Sequence, residues 1–195
     1  AVGKVETGKA DALFPEYYIS DTHKSAVFPD KRRLELLVLG HEVPGGPLMF
    51  WGREGYGDWD GTFASVKGEK IAVVDGYVNT AEFDVLMNEG YFSITKGVDD
   101  LSNLRSLLRG EVSLIVGDPF VFRHLLRTAV PKEERSQAQL EPLYPVLEEK
   151  SLYVAFSRNR PQFLQKRTLF NESLDRMLNL GEVEAIQAAT SSCGQ

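Results

Sequence analysis

The sequence predicts an α/β protein that is divided into two lobes, and three observations carry this prediction. A helix, a glycine and a buried strand follow one another at residues 5–16 and again at residues 107–118. The apolar, mostly β-branched run at residues 71–74 is typical of a strand that is covered on both faces. Two extended segments that contain prolines, residues 34–53 and 142–159, would carry the chain out of the first lobe and back into it.

The first helix and strand are predicted in VETGKADALFPE, residues 5–16. Gly8 is expected just after the helix, because glycine readily adopts the left-handed conformation that ends many helices. The short strand that follows ends in a carboxylate, Glu16. A charged side chain is therefore expected at the end of a strand in the first lobe.

The next strand, residues 71–74, is followed by a tight turn at Gly76. Asn79 and Glu82 match a capping box, which predicts a helix over about residues 80–88. A glycine turn that leads into an exposed helix N-terminus is a suitable place for polar groups of a ligand.

The second unit of helix, glycine and strand is LLRGEVSLIVGD, residues 107–118. Asp99 or Asp100 is expected to cap its helix, whose apolar stripe consists of four leucines. The strand at residues 113–117 should pair in parallel with the earlier strand, since the helix between them supplies the crossover. Asp118 would then emerge beside residues 76–80, where it also suits the N-cap of a helix that begins with proline.

The last segment, residues 162–189, has a helical pattern and would close the first lobe. Its predicted core-facing side chains are Phe163, Leu164, Leu169, Phe170, Leu174, Met177 and Leu178. The predicted organisation is a first lobe of residues 1–42 and 153–195, a second lobe of residues 47–148, and hinges at about 43–47 and 148–153.

Composition excludes several classes of protein. The net charge is −6, so the field of the protein disfavours nucleic acid. The single cysteine, Cys193, cannot form an intrachain disulfide, and the three histidines lack metal-ligand spacing. No apolar stretch approaches the roughly 20 residues that cross a bilayer. The sequence indicates neither a metal site nor a cofactor.

Several segments in order, GKADALFPEYY, KGEKIAVVDGYVNTAEFD, LSNLRSLLRGEVSLIVGD, SLYVAFSRN and the last helix, resemble the type 2 periplasmic solute-binding proteins. The branch they resemble is family 3, which is associated with ABC transporters for polar amino acids. The resemblance covers nearly the whole chain. It implies two α/β lobes, joined by two hinge strands, that close on a small polar ligand in the periplasm and present it to a membrane permease.

The resemblance assigns ligand-binding roles only in part. Asp118 matches the family's amine-binding aspartate, and Gly76 matches the glycine turn of the second lobe. The family's Gly-x-Thr and its carboxylate-binding arginine correspond here to Glu16, Tyr18 and His23. Histidine does not reproduce the guanidinium fork, so the usual clamp for an α-amino acid is absent or is built elsewhere. Family members also begin with further first-lobe elements, and the first lobe is therefore expected to be incomplete at its N-terminus.

The predicted ligand-binding residues lie at the two strand ends and in the loops beside them. The two carboxylates with nearby tyrosines favour a cationic or amine-bearing solute. Simpler interpretations remain open: Asp118, Asn79 and Thr80 as helix caps, Glu16 to Tyr18 as a loop, and His23 as an ordinary loop residue. The full set is Glu16, Tyr17, Tyr18, His23, Gly76, Tyr77, Asn79, Thr80 and Asp118.

The function that these features favour is a monomeric, non-catalytic periplasmic protein that captures a small polar solute, amino-acid-like or cationic, for an ABC transporter. A ligand-sensing domain of a signalling receptor would have the same fold. An enzyme of the dehydratase type, with Glu16, His23 or Asp118 as acid or base, is a further alternative. No nucleophile elbow, triad order or metal motif supports the enzyme.

Overall fold

The computed structural model describes residues 1–25 and 27–192, and for residues 190–192 only the backbone. The chain forms two compact units. Unit 1 contains residues 1–45 together with the described residues from 150 onward, and unit 2 contains residues 46–149. Cys193 lies outside the described residues, so the inference about it remains a prediction.

Helices and strands alternate along much of the chain. The helices are α1 (Val2–Glu6), α2 (Arg33–Leu36), α3 (Ala81–Asn88), α4 (Asp100–Leu108), α5 (Pro119–Thr128), α6 (Lys132–Arg135), α7 (Phe163–Asn179) and α8 (Glu182–Ser192). The strands are β1 (Ala12–Glu16), β2 (Leu37–Leu39), β3 (Val43–Arg53), β4 (Lys70–Val74), β5 (Ser93–Gly97), β6 (Leu114–Gly117), β7 (Leu140–Pro142) and β8 (Glu148–Ser157). None of the helices within the described residues has the length and apolar character needed to span a membrane.

Unit 1 is organised around β8, which pairs in antiparallel fashion with β1 on one side and with β2 on the other. Ala155 faces Leu13 across one ladder and Leu39 across the other, and it is fully buried. The predicted helix and strand at residues 5–16 are confirmed as α1 and β1, with Gly8 between them at a φ of +72°. This brings Glu16 to the end of β1.

Two predictions in unit 1 are corrected. Residues 34–36, predicted as extended, lie in helix α2, because the Arg32 amide donates to the Glu35 carboxylate (2.8 Å) and caps a helical turn. Leu164 and Leu169, predicted to face the core, are each 56% exposed. They lie on α7 to either side of the face that carries the buried Leu174.

The predicted helical segment at the end of the chain is interrupted. It forms α7 and α8, which are separated at Gly181, a glycine with a φ of +69°. The left-handed conformation ends α7 and lets the chain start a second helix.

Unit 2 contains a sheet in the order β7, β3, β6, β4, β5. Strand β4 is parallel to both of its neighbours, and β3 is antiparallel to β6. The predicted parallel pairing is confirmed, with Ile71 opposite Leu114 and Ala72 opposite Ile115. A parallel arrangement places the ends of β4, β5 and β6 at one edge of the sheet.

Both faces of this sheet are buried, as residues 71–74 predicted. Successive residues of β3 alternate, so Leu48 and Phe50 join one hydrophobic cluster while Met49 and Trp51 join the other. Helix α4 packs its Leu104 and Leu107 in the second cluster. The cores on the two faces hold the strand ends in fixed positions.

Strand β5 was not predicted. The sequence pattern indicates only helices between residues 80 and 108, whereas the chain forms α3, β5 and α4. Strand β5 lies at the edge of the sheet and pairs only with β4 among the described residues. Its residues are all exposed or partly exposed, and Ile94 alone contributes a large apolar side chain, so the strand carries a weak hydrophobic signal.

Candidate functional site

The candidate site in unit 2 is the edge where β4, β5 and β6 end. Asp118 directly follows β6, Gly76 and Tyr77 follow β4, and Asp99 and Asp100 follow β5. In open α/β sheets, ligands bind at the carboxyl ends of parallel strands. The topology thus places the carboxylates that follow β5 and β6 at the same edge as the turn that follows β4.

Asp118 is the N-cap of α5, with Pro119 as the first helical residue. Its Oδ1 accepts a hydrogen bond from the Phe120 amide at 2.7 Å. Burial raises the pKa of Asp118, and the hydrogen bonds from the amides of Phe120 and Val121 oppose this shift only in part. The interpretation of Asp118 as a helix cap is therefore confirmed.

Asp99 and Asp100 extend this carboxylate edge, although the sequence alone indicates only a helix cap at these positions. Asp99 is the N-cap of α4 and accepts from the Ser102 amide at 2.7 Å. Burial raises the pKa of Asp100, and the charges of Asp99 and Asp118 raise it further. Within the part of the chain that the structure describes, no basic side chain forms an ion pair with any of these three carboxylates. The edge therefore carries uncompensated negative charge.

The turn after β4 brings an aromatic side chain to the same edge. Gly76 has a φ of +79°, which L side chains rarely adopt, and Tyr77 beside it is 56% exposed. Burial raises the pKa of Tyr77, and the charges of Asp100 and Asp99 add to the shift. Tyr77 thus lies near Asp99 and Asp100, and Asp118 lies near Asp100.

Asn79 and Thr80 serve mainly to begin α3, and the predicted capping box of Asn79 and Glu82 is wrong, since the helix is capped one residue later. Thr80 is the N-cap, and its Oγ1 accepts from the Phe83 amide at 3.1 Å. The Asn79 amide and its Nδ2 donate to Asp84, at 3.1 and 2.9 Å. Both residues are suitable caps, and the structure selects the one whose side chain reaches the third helical amide.

In unit 1, Glu16 does not present a free charge. Arg33 Nη2 lies 2.7 Å from Glu16 Oε2, while Arg33 Nε lies 3.3 Å from Glu6 Oε1. Glu6 is fully buried and also accepts a hydrogen bond from Ser25 Oγ at 2.7 Å. Sequence reasoning missed Arg33, because it is 17 residues from Glu16 and no local pattern connects the two.

The other predicted residues of unit 1 have separate surroundings. The ammonium of Lys150 lies 5.6 Å from the centre of the Tyr17 ring. Tyr18 is 66% exposed and meets the ring of Tyr153 edge to face, with centroids 6.0 Å apart. The Nδ1 of His23 accepts from the Ser20 amide at 3.3 Å, so His23 helps to hold its own loop.

The arrangement combines carboxylates with an aromatic ring, and such a combination is suited to a positively charged group. Asp118, Asp99 and Asp100 are anionic, and the ring of Tyr77 can contact a positively charged group. No group of three or more histidine, cysteine, aspartate or glutamate side chains among the described residues is arranged to hold a metal ion.

A signal for Asp99 and Asp100 does exist in the sequence, because two adjacent aspartates follow the short alternating run at residues 93–97.

Comparison with solved structures identifies the fold. An amino acid ABC transporter substrate-binding protein from Streptococcus pneumoniae, bound to L-arginine, matches 98% of this chain and 71% of its own, with a TM-score of 0.67 and 13% identity. The chain has the fold of a type 2 solute-binding protein. An arginine transport system periplasmic binding protein from Legionella pneumophila matches this solute-binding fold over 96% of the present chain and 75% of its own, with a TM-score of 0.65 and 12% identity.

The GluR0 ligand binding core, in complex with L-glutamate, has the same solute-binding fold. It matches 99% of this chain and 76% of its own, with a TM-score of 0.69 and 13% identity. The predicted two-lobed α/β fold class is thereby confirmed, and the named neighbours are binding proteins rather than enzymes. No protein-family model and no curated protein sequence matches the chain.

Proposed function

We propose that this protein is a solute-binding component of an ABC transporter that captures a small, polar, amine-bearing solute outside the cytoplasm and presents it to a membrane permease. The observation that carries the proposal is the carboxylate edge of unit 2, formed by Asp99, Asp100 and Asp118. The solute-binding fold supports the binding role, and the transport role follows the neighbours from S. pneumoniae and L. pneumophila.

The electrostatics of the edge support a positively charged solute. Burial is the main cause of the raised pKa of Asp100, and repulsion from Asp99 and Asp118 raises it further. A bound ammonium or guanidinium group relieves this repulsion and replaces the water lost by the buried oxygens with charged hydrogen bonds. An anionic solute without such a group gains nothing at this edge.

The experiment that tests the proposal is a thermal-shift screen of amines, amino acids, sugars and carboxylates, followed by calorimetric titration of each compound that raises the melting temperature. A bound solute stabilises the native state by mass action, so a true ligand raises the melting temperature with its concentration. Amine-bearing compounds are expected to do so. Stabilisation by sugars or dicarboxylates alone would contradict the proposal.

A ligand-sensing domain of a receptor is the second candidate, and the similarity to the GluR0 ligand binding core favours it. Both roles use the same solute site, so the screen does not separate them. Uptake of the labelled solute by cells with and without the gene for this chain does, because only a transport component changes the uptake rate.

A further inference from the structure

Asn103 on α4 is a buried polar residue whose amide is not satisfied by its surroundings. It lies in unit 2 and is only 1% exposed. Its Nδ2 is buried and has no hydrogen-bond partner within the part of the chain that the structure describes. Nearly all buried side-chain polar groups in proteins have a partner, because the loss of hydration is otherwise not offset. Asn103 therefore keeps an unused donor at a cost in stability.

The amide of Asn103 lies against the end of β5. A Cβ atom built on Gly97 would collide with Asn103 Oδ1, so the amide occupies the space beside the last residue of the strand. Gly97 is joined to the turn after β4, because its carbonyl accepts a hydrogen bond from the Asp75 amide at 2.9 Å. The amide is therefore close to the edge where β4 and β5 end.

Helix geometry directs this amide toward the carboxylate edge. Asp100 and Asn103 are three residues apart, so they share one face of α4. Side chains on a helix lean toward its N-terminus, and the amide of Asn103 accordingly points back toward the turn that carries Asp100. The next residues on this face, Leu104 and Leu107, are buried in an apolar cluster. Asn103 thus lies between the carboxylates and the apolar core.

The carboxylates of the edge do not satisfy the amide. Asp99 and Asp118 each accept a hydrogen bond from a backbone amide at the start of their own helix. Neither of them, nor Asp100, accepts one from Asn103 Nδ2. The donor is thus left for an acceptor that comes from outside these side chains.

Two other buried side chains with an unpartnered polar atom have a different position. They are Trp51, through its Nε1, and Tyr56, through its hydroxyl oxygen. Strand β3 is antiparallel to β6, so Trp51 and the chain that follows it lie toward the opposite edge of the sheet from Asp118. Asn103 is the one of these three residues that adjoins the carboxylate edge.

We propose that Asn103 is a specificity-determining residue of the solute site, and that its Nδ2 donates a hydrogen bond to a neutral oxygen that the solute carries close to its ammonium group. This inference rests on the proposed function and specifies its substrate class as amino alcohols and amino amides. Rotation about the last side-chain torsion, which is broad in asparagine, turns the donor toward the solute. A hydroxyl or amide oxygen accepts this bond without adding negative charge to the edge, whereas a carboxylate adds like charge.

The test compares amines of similar size with and without an oxygen acceptor. Ethanolamine has a hydroxyl group where propylamine has a methyl group, and 2-methoxyethylamine, whose oxygen can only accept, matches butylamine in chain length. In titration calorimetry each oxygen-bearing amine is expected to bind about tenfold more tightly than its alkyl counterpart, which corresponds to about 1.4 kcal/mol. Glycine, which carries a carboxylate in place of the hydroxyl group, is expected to bind more weakly than ethanolamine.

The role of Asn103 is tested with Asn103→Leu, which keeps the approximate size of the side chain but removes its donor. The advantage of the oxygen-bearing amines is expected to disappear in this variant, while propylamine binds as in the parent protein because the carboxylates remain. Asn103→Ala, which also fits beside Gly97 if leucine does not, is expected to lose the same advantage. A purely structural role of Asn103 would change the affinity for both kinds of amine alike.

Asn171→Leu is the matched control. Asn171 is also buried but lies in unit 1, and its Oδ1 accepts a hydrogen bond from the His41 amide at 2.8 Å. Its replacement leaves that amide without its acceptor, so the urea midpoint should fall while the preference for ethanolamine stays. Asn103→Leu removes an unsatisfied donor, and its urea midpoint is expected to equal or exceed that of the parent protein.

The outcomes separate this inference from the proposed function. Equal binding of ethanolamine and propylamine by the parent protein would overturn the inference, and so would a preference for ethanolamine that persists in both Asn103 variants. In either case weaker amine binding in Asp118→Asn would leave the proposed function standing. If no amine binds the parent protein, the proposed function and this inference are both wrong.

Discussion

A Cβ atom built on Gly46 would lie 2.7 Å from Oδ2 of Asp118, closer than non-bonded carbon and oxygen atoms approach. Both residues belong to unit 2, and the backbone of β3 therefore passes directly against the carboxylate that we place in the solute site. Because Oδ1 accepts a hydrogen bond from the Phe120 amide, the carboxylate of Asp118 lies between the start of α5 and the backbone of β3.

Gly46→Ala is expected to displace Asp118 from its cap. The new methyl group forces the carboxylate away from the Phe120 amide, which should lower the free energy of unfolding by about 1 kcal/mol and weaken amine binding. Gly57→Ala is the matched control, because nothing lies within 4 Å of a Cβ at that position. Urea unfolding measures the change in stability, and titration calorimetry measures the change in amine binding. Equal stability and equal affinity of Gly46→Ala and Gly57→Ala would show that displacement of Asp118 costs neither.

Asp118→Asn is expected to separate the cap from the binding role. Asparagine caps helices about as well as aspartate, so the unfolding free energy should change little. Loss of the charge in contact with a ligand amine should cost on the order of 2 kcal/mol of binding, about thirtyfold in affinity. Calorimetric titration with the solute found in the screen measures this. Asp118→Ala, which also loses the cap, should bind weakly and be less stable; full affinity in both variants would move the anchor elsewhere.

Affinity for a cationic solute is expected to rise with pH above the usual aspartate pKa of 3.8. The pKa values of Asp100 and Asp118 are raised, so in the free protein these groups stabilise the fold below the ordinary value and lose that contribution as pH rises through their raised pKa values. A bound cation favours the ionised carboxylates, and binding therefore releases protons in this range. Calorimetry in buffers of different ionisation enthalpy measures the release, which Asp100→Asn should reduce. Proton uptake would contradict the assignment.

Arg33→Met is expected to lower the free energy of unfolding by about 3 kcal/mol, because it leaves the fully buried Glu6 without its cation. Urea unfolding measures the loss. The double variant Arg33→Met with Glu6→Gln should recover much of it, since a neutral amide tolerates burial better than an unpaired carboxylate. A loss below about 1 kcal/mol in the single variant would mean that water or Ser25 compensates Glu6.

Local patterns were sufficient to predict much of the fold and part of the site. The apolar run of β4, the aspartate and proline at the start of α5, and Gly76 each depend on residues adjacent in sequence, and the structure has them as expected. The parallel pairing of β4 and β6 followed from the helix between them, even though β5 was overlooked.

The features that sequence reasoning missed depend on contacts between distant residues or on weak local signals. Arg33 reaches Glu16 only after the loop between them has folded. Glu42 meets Ser151 and Tyr153 from more than a hundred positions away, and Asp99 and Asp100 become site residues only because β5, an exposed edge strand, ends beside β4. Hydrophobic periodicity indicates which residues of one helix or strand are buried, and it carries no information on contacts between residues that are far apart in sequence.

The position of Ala155 between β1 and β2 has a consequence for biosynthesis. The sheet of unit 1 joins a strand near the N-terminus to one that the ribosome makes only after all of unit 2. Unit 2 is continuous in sequence and is made before most of β8. Within the described residues, β1 and β2 therefore lack the strand that joins them while the middle of the chain folds, and this delay extends the time in which strand edges are open to aggregation or to chaperones.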